Sequence, residues 1–196
     1  MAAIKSKLRW PTAAAACAAA LAAAGCGGLG QVEQGRVIAY NPQARRVTLI
    51  REARDPAAPS PGLLPPVTVR TPADPDEMGP APAAGRLMQI DSNHHQLVIF
   101  DTDRADFRTM RYSAIEERRN VDRDPGTPQI DRARKTITIY SAGTRTLITL
   151  AADDAMLAMP ADTWRCGDVV RYYYKDPAQA MRLMNVTQTD LSKSGG

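Results

Sequence analysis

The sequence predicts a mainly β protein made of short strands. Proline and glycine are frequent, at 15 and 13 residues, while aromatic residues make up only 5% of the chain. Short runs of aliphatic residues alternate with polar residues, most clearly at 135–140. This period of two is typical of half-buried strands. Turn-forming residues separate the runs, so we expect few and short helices.

The chain begins with a segment typical of exported proteins. Residues 1–9 carry three positive charges and no negative charge, and residues 13–24 are entirely apolar. This is the pattern of a signal peptide. The apolar run is shorter than the roughly 20 residues that a membrane-spanning helix needs. We therefore predict that residues 1–25 are a lipoprotein signal peptide.

The end of this segment resembles the lipobox of bacterial lipoproteins. Positions 23–26 read Ala-Ala-Gly-Cys, although leucine, the commonest residue at the first of these positions, lies at position 21 instead. The resemblance implies cleavage before Cys26 and acylation of its thiol with fatty acids such as palmitate. Two or more acyl chains anchor a protein stably to a membrane. The alternative is ordinary cleavage after the alanines, with Cys26 there by chance.

Removal of residues 1–25 changes the charge of the protein. Three of the 25 basic residues lie in that segment, so 22 remain against 21 acidic residues. A nucleic-acid partner would require a concentrated basic face, and we expect none. Residues 26–34 are predicted to be the lipidated cysteine and a glycine-rich flexible tether.

Residues 35–101 are predicted to form a first β-module. Proline-rich crossings at 55–66 and 72–85 interrupt it. The expected strands, with turns at 41–44 and 91–94, are 35–40, 47–51, 67–69, 85–90 and 96–100.

Residues 102–190 are predicted to form a second β-module. Asp153 and Asp154 are expected to cap a short helix that ends before Pro160. Residues 114–119 fit either a helical turn or a loop, and 191–196 a disordered tail. The expected strands are 107–112, 135–140, 144–150, 167–174 and 181–186.

The two modules share landmarks in the same order. Val-Thr-Leu at 47–49 matches Ile-Thr-Ile at 137–139, and Val-Thr-Val at 67–69 matches Ile-Thr-Leu at 148–150. A glycine then opens the next hairpin in each module, at Gly85 and Gly167. This order indicates an internal duplication. Each copy would then be a small OB-like barrel or a related sandwich.

Motifs of catalysis are absent from the sequence. The Gly-x-Gly-x-x-Gly pattern at 25–30 follows no strand and lies across the predicted cleavage site. No Walker, Gly-x-Ser-x-Gly or His-Glu-x-x-His motif occurs. The two histidines are adjacent, and a catalytic triad has no candidate base elsewhere. We therefore predict a protein that is not an enzyme, with no catalytic residue, metal ligand or cofactor.

Two weaker candidate sites remain in loops. His94 and His95 could together bind a metal ion or haem only within a turn, because neighbours on a strand point to opposite faces. The alternative is a solvated hairpin tip. Cys166 could cross-link to a partner in an oxidising envelope, but no histidine or lysine adjoins it in sequence to activate the thiol. An inert small residue is the alternative there.

Tyr172 and Tyr174 are a tentative ligand surface. They lie on the same face of a predicted strand, and Arg171 and Lys175 flank them. Aromatic side chains arranged in this way stack on bases or sugars in OB barrels. The alternative is that these tyrosines are ordinary amphipathic strand residues.

A family resemblance extends over nearly the whole chain after position 34. The chain resembles uncharacterised envelope lipoproteins that contain a domain of unknown function and are typical of sulphate-reducing bacteria. This resemblance implies a lipoprotein but no activity, substrate or cofactor. The segments that carry it are QGRVIAY (34–40), VTLIR (47–51), LPPVTV (64–69), PADPDEMGP (72–80), VIFD (98–101), KTITIYS (135–141), DTW (162–164), VVRYYYK (169–175) and MNVTQTD (184–190).

The expected function is that of a non-enzymatic lipoprotein facing the periplasm, which binds or scaffolds another envelope protein. Gly27 follows the cysteine, which resembles the outer-membrane pattern of enteric lipoproteins, so we expect the outer rather than the inner membrane. The alternative is a periplasmic protein that binds a small molecule or a metal. A cavity lined by converging polar groups would favour this small-molecule or metal binder, and a solid core with an exposed apolar patch would favour the scaffold.

Overall fold

The structure is a computed structural model that describes residues 30–53, 62–122, 126–141 and 144–189. The predicted signal peptide, Cys26 and the predicted tail at 191–196 lie outside the described residues. Within the described ranges, no helix has the length and apolar character needed to cross a membrane.

Five strands close into a small barrel. In ring order they are β1 (Gln31–Asn41), β13 (Val169–Asp176), β14 (Gln179–Asn185), β5 (Val67–Arg70) and β2 (Arg46–Ile50). The first half of β1 pairs with β13 and its second half with β2, across a register shift between Val37 and Ala39. A short parallel pairing of Gln179 with Arg70 closes the ring. The OB fold is likewise a five-stranded barrel.

The remaining strands form separate antiparallel sheets. A two-stranded ribbon joins β3 (Glu52–Ala53) and β4 (Gly62–Leu63). We call the two larger sheets, with the helix α1 (Asp154–Ala158), the meander lobe. The three-stranded sheet has the order β6 (Leu87–Asp91), β7 (Gln96–Asp101), β8 (Asp106–Arg111). The four-stranded sheet has the order β10 (Gln129–Asp131), β11 (Thr136–Ser141), β12 (Thr146–Ala151), β9 (Ser113–Arg119).

The barrel and the meander lobe each have a core, and a third cluster joins Ile38 and Ile50 of the barrel to Met88 and Phe100 of the lobe. Apolar side chains of β6 and β7 pack against those of β11 and β12, with Trp164 of the 3₁₀ helix Ala161–Trp164 completing the cluster. This packing of two sheets makes the lobe a sandwich. The barrel core contains Val37, Val47, Leu49, Val69, Val170, Tyr172, Tyr174, Ala180 and Leu183.

The mainly β prediction is confirmed, but the sheets do not separate at residue 101. The barrel takes β1, β2 and β5 from the predicted first module and β13 and β14 from the second. The lobe core likewise combines β6 and β7 with β11 and β12. The predicted tandem arrangement is therefore corrected to two interleaved parts, because β1 pairs with a strand near the other end of the chain.

Three local predictions can be compared directly with the structure. Residues 31–34 were expected in the tether, but they begin β1, since their backbone pairs with β13. Residues 113–119 are a strand, not a helical turn or loop, because they pair with β12. The short helix is confirmed: the Asp153 side chain accepts the backbone N–H of Met156 at 2.7 Å, as an N-cap residue does.

The matched triplets of the predicted duplication occupy equivalent places in two ladders. Thr48 lies opposite Thr68, with their hydroxyl oxygens 2.9 Å apart. Thr138 lies opposite Thr149, with their hydroxyl oxygens 3.1 Å apart. Each threonine pair joins two antiparallel strands in the middle of the matched triplets.

One type of hairpin turn occurs at four places in the described part of the chain. Its first residue is Asn41, Asp91, Asp101 or Asp131, whose side-chain oxygen accepts a backbone N–H two or three residues later. Four positions after each of these residues the backbone has a positive φ, between 48° and 52°. Asparagine and aspartate favour such turns because their side chains replace a missing backbone acceptor. The residues with positive φ in these turns are Arg45, His95, Ala105 and Lys135.

Candidate functional site

Tyr172 and Tyr174 lie inside the barrel and not on its surface. Only 2% of Tyr172 and 7% of Tyr174 is exposed, and their rings stack with centroids 5.4 Å apart. Both hydroxyls donate to the carboxylate of Glu33, at 2.7 and 3.0 Å. Arg51 donates to the same carboxylate at 2.5 Å. The tentative ligand surface is therefore corrected to a polar network in which the tyrosines are buried and Glu33 and Arg51 are partly buried.

The network explains why a glutamate points into the barrel. Burial favours the neutral form of Glu33, but the hydrogen bonds from Tyr172, Arg51 and Tyr174 outweigh burial and lower its pKa. Burial and the hydrogen bond to Glu33 raise the pKa of Tyr172 and of Tyr174. At neutral pH the tyrosines thus stay protonated donors to an ionised carboxylate. This arrangement stabilises the barrel, although the Arg51 and Glu33 side chains stay 31% and 29% exposed.

Two glycines form the junction between the barrel and the meander lobe. The Gly85 N–H donates to the Val37 carbonyl at 3.1 Å, and the Val37 N–H donates to the Asp168 carbonyl at 2.9 Å. A Cβ atom on Gly167 would overlap with the Val37 carbonyl oxygen, and one on Gly85 would lie 2.6 Å from the Gly167 nitrogen. The close approach of three backbone segments requires glycine at both positions.

The buried carboxylate of Asp168 strengthens this junction. Its Oδ2 accepts hydrogen bonds from the Ala83 backbone at 2.9 Å and from the Asn185 amide at 2.9 Å. The Gln188 amide donates to the same oxygen at 2.5 Å. Hydrogen bonds to a charged acceptor are among the stronger ones in proteins. Asp168 therefore holds the loop before β6 against the end of β14.

A groove of about 860 Å³ lies beside this junction. We call it the central groove. One wall is β6 with the turn that follows it, and the opposite wall is formed by the ends of β9 and β11 and the start of β12. Arg36 of β1 and Glu52 of β3 line the groove from the barrel side. A volume of this size is typical of ligand-binding clefts.

Polar side chains converge on the central groove. The Thr144 hydroxyl donates to the Ser141 hydroxyl at 2.9 Å, and the Thr146 hydroxyl donates to the Thr144 carbonyl at 3.0 Å. The Arg36 guanidinium donates to the Gly167 carbonyl at 3.0 Å. Arg119 lies 3.8 Å from Glu117 in a weak ion pair. The groove is thus lined by two arginines and by four residues with hydroxyl groups, Ser92, Ser141, Thr144 and Thr146.

Cys166 lines the central groove and a smaller cavity of about 350 Å³. Its side chain is half-buried, and the thiol donates to the Tyr140 carbonyl at 3.7 Å. Trp164 and Tyr140 line the smaller cavity. The cross-linking and inert interpretations of Cys166 both stay predictions.

His94 and His95 lie in the turn between β6 and β7. The Nδ1 atom of His94 is 2.7 Å from Asp91 Oδ2, and this hydrogen bond lowers the pKa of Asp91. His95 packs against Tyr112 with ring centroids 5.3 Å apart. Over the ranges that the structure describes, no three His, Cys, Asp or Glu side chains lie close enough to hold a metal ion.

The chain matches a protein family along most of its length. A family model for a domain of unknown function, DUF4881, matches residues 28–194. The chain belongs to the DUF4881 family. No curated protein and no solved structure matches it. The DUF4881 domain therefore spans both the barrel and the meander lobe.

Sequence reasoning missed the residues that shape the central groove of this DUF4881 domain. Arg36 and Arg119 occupy ordinary strand positions, and nothing in their local sequence marks them. Glu33 was assigned to the tether, although it organises the barrel tyrosines. Gly85 and Gly167 were noticed as matched landmarks, and the structure brings these two glycines into contact.

Proposed function

We propose that this protein is a lipid-anchored binding protein of the bacterial cell envelope. Cys26 carries the acyl chains, and the domain faces the periplasm. The convergence of Arg36, Arg119 and the hydroxyls of Ser141, Thr144 and Thr146 on the central groove carries the proposal. A cavity lined by polar groups supports the binding of a ligand over passive scaffolding. We assign no catalytic role to the groove residues.

The ligand that fits the groove best is a polar segment of another envelope protein. Glu52 and Asp91 line the groove together with the two arginines, so the groove presents both signs of charge. A peptide offers backbone donors and acceptors to the hydroxyls and charged side chains to the guanidinium and carboxylate groups. The groove is also open to solvent, so that a bound segment can continue beyond it.

The anchor is tested by the intact mass of membrane-extracted protein, compared with a Cys26→Ser variant. We expect a chain that starts at Cys26 with added acyl mass, and an unmodified variant that is released from the membrane. A wild-type product without acyl mass would contradict the anchor. Separation of inner and outer membranes then tests the expectation that the protein resides in the outer one.

The groove is tested by photo-crosslinking in cells. A photoreactive residue replaces Asn120, which lines the groove, and in a matched control it replaces the exposed Arg108 on β8. We expect one discrete protein adduct from position 120 and none from 108, and Arg36→Ala should reduce the adduct. No adduct at 120, with a small molecule retained in the native mass of the Cys26→Ser protein, would favour the alternative of a small-molecule binder.

A further inference from the structure

The outer surface of the barrel near the start of β1 carries an exposed apolar patch. Among the described residues, three large aliphatic side chains are strongly exposed: Val32 at 62%, Ile115 at 60% and Met181 at 46%. Ile115 lies on β9 in the meander lobe. Val32 and Met181 lie on β1 and β14, the two neighbours of β13 in the barrel.

The strand register joins these side chains into one patch. Val32 lies opposite Tyr173, and Tyr173 lies opposite Arg182, which follows Met181. Tyr172 and Tyr174 are inside the barrel, so the alternation of a strand turns Tyr173 outward, where it is half-buried. Val32, Tyr173 and Met181 together form what we call the anchor-side face.

Basic side chains border the anchor-side face. Arg171 and Lys175 lie two residues before and after Tyr173 and are exposed on the same side of β13. Arg171 donates to the Gln34 side chain at 3.2 Å. Within the described part of the chain, neither residue has a carboxylate within 4.0 Å, whereas Arg182 pairs with Glu77 at 2.7 Å. Two cations next to the apolar patch are thus available to an anionic surface.

The chain places this face next to the proposed anchor. Five peptide steps separate Cys26 from Gln31, the first residue of β1, and five residues span at most about 18 Å when fully extended. Val32, which belongs to the anchor-side face, directly follows Gln31 in the chain. A domain held at Cys26 therefore keeps the anchor-side face within a short distance of the lipid that holds it.

We propose that the anchor-side face lies on the surface of the anchoring membrane. The proposal rests on the acylation of Cys26 proposed above. Tyr173, Val32 and Met181 would enter the interfacial region, where amphipathic aromatic and aliphatic side chains are stabilised. Arg171 and Lys175 would lie against anionic headgroups, each strengthening binding about fivefold. The domain is then oriented by its own surface and not by the tether alone.

The orientation is tested with nitroxide labels on the full acylated protein. Cysteine is introduced at Val32, at Met181 or, as a matched control, at Ile115, each in a Cys166→Ser background. The protein is reconstituted into vesicles of phosphatidylcholine and phosphatidylglycerol. We expect labels at 32 and 181 to be protected from an aqueous relaxation agent and exposed to oxygen, and the label at 115 to stay in water.

Acyl mass is measured on every labelled sample, which separates the two proposals. An acylated protein whose labels at 32 and 181 are as water-exposed as the label at 115 would overturn the docking but not the anchor. A sample without acyl mass would overturn the anchor and this docking with it. Lys175→Glu should reduce the protection at 181 in the acylated protein, whereas Arg108→Glu on β8 should not; equal effects would overturn the role of the basic border.

Discussion

The barrel and the meander lobe both contain antiparallel hairpins, but their strands pair over different distances along the chain. In the sheet of β6, β7 and β8, each strand pairs with the next strand in the chain. In the barrel, β1 pairs with β13, and the hydrogen-bonded Glu33 and Tyr172 are 139 positions apart. Closing so long a loop costs more chain entropy than forming a hairpin. The barrel therefore requires contacts whose free energy offsets this entropy cost.

Those contacts differ in kind from the contacts within the lobe. The lobe core is mostly aliphatic around Tyr112 and Trp164, whereas the barrel holds the Glu33 network beside its aliphatic core. The packed glycines Gly85 and Gly167 then connect the two parts. Hairpins and the pairing of β9 with β12 build the sheets of the lobe. The barrel depends in addition on the Glu33 network and on the backbone contacts at the glycine junction.

The largest expected effect is the loss of core volume in either part. Leu49→Ala in the barrel and Leu150→Ala in the lobe should each lower the free energy of unfolding by about 4 kcal/mol, because both side chains are fully buried. The glycine junction couples the two cores, so we expect a single denaturation transition in each variant, followed by circular dichroism and by tryptophan fluorescence. Two separate transitions would show that the parts unfold independently.

The junction itself is tested by Gly167→Ala. The added methyl group overlaps with the Val37 carbonyl, so the backbone must shift, and we expect a loss of about 3 kcal/mol in denaturant unfolding. Gly62→Ala is the matched control. A Cβ there meets only Ala53 at 3.8 Å, and its effect should stay within about 0.5 kcal/mol. Equal effects of the two substitutions would argue against a tight junction.

The Glu33 network predicts that the barrel is sensitive to acid. The pKa of Glu33 is lower in the folded than in the unfolded chain. Its contribution is therefore complete above the unfolded pKa of about 4.3 and is lost as pH falls through the folded pKa. Glu33→Gln should cost about 2 kcal/mol at neutral pH and make stability less dependent on pH below this range.

The control for this effect is Glu77→Gln, which removes a surface ion pair with Arg182. It should change the free energy of unfolding by less than about 0.5 kcal/mol. Unfolding curves collected at several acidic and neutral pH values measure both variants. If Glu33→Gln keeps the full pH dependence of the wild type, the network does not control acid stability.

The smallest expected effects compare the two threonine ladders. Thr138→Val removes a part-buried hydroxyl pair and should cost about 0.5 kcal/mol, whereas Thr48→Val removes an exposed pair whose bond water can replace. We expect no measurable change for Thr48→Val. Thermal unfolding of the two variants side by side measures the difference, and a larger loss at Thr48 would reverse the comparison.

Local sequence was sufficient for the hairpins and the helix. Alternation at 135–140 and the turn residues at 41–44 and 91–94 predicted strands and turns that the structure contains. The aspartate cap and Pro160 predicted the helix within one residue at each end. These signals depend on neighbours in the chain, which is why they could be read from the sequence alone.

The partners of each strand could not be predicted in the same way. In β1 the usual alternation is inverted, because Val32 points outward and Glu33 inward. A reading based on hydrophobicity therefore placed these residues in a tether and left Tyr172 and Tyr174 on the surface. Only the pairing of β1 with β13 shows that a carboxylate inside the barrel meets the tyrosine hydroxyls. The groove residues depend on the same long-range assembly.

The pairing of β1 with β13 also sets a minimum time before the barrel can close. The ribosome makes a chain from its N-terminus at about 5–20 residues per second. The 139 positions between Glu33 and Tyr172 thus take roughly 7–28 s to synthesise at that rate. Throughout this interval β1 has an unpaired edge, the feature by which strands aggregate. A nascent chain therefore needs its first strand protected from aggregation until its last hairpin, β13 and β14, has been synthesised.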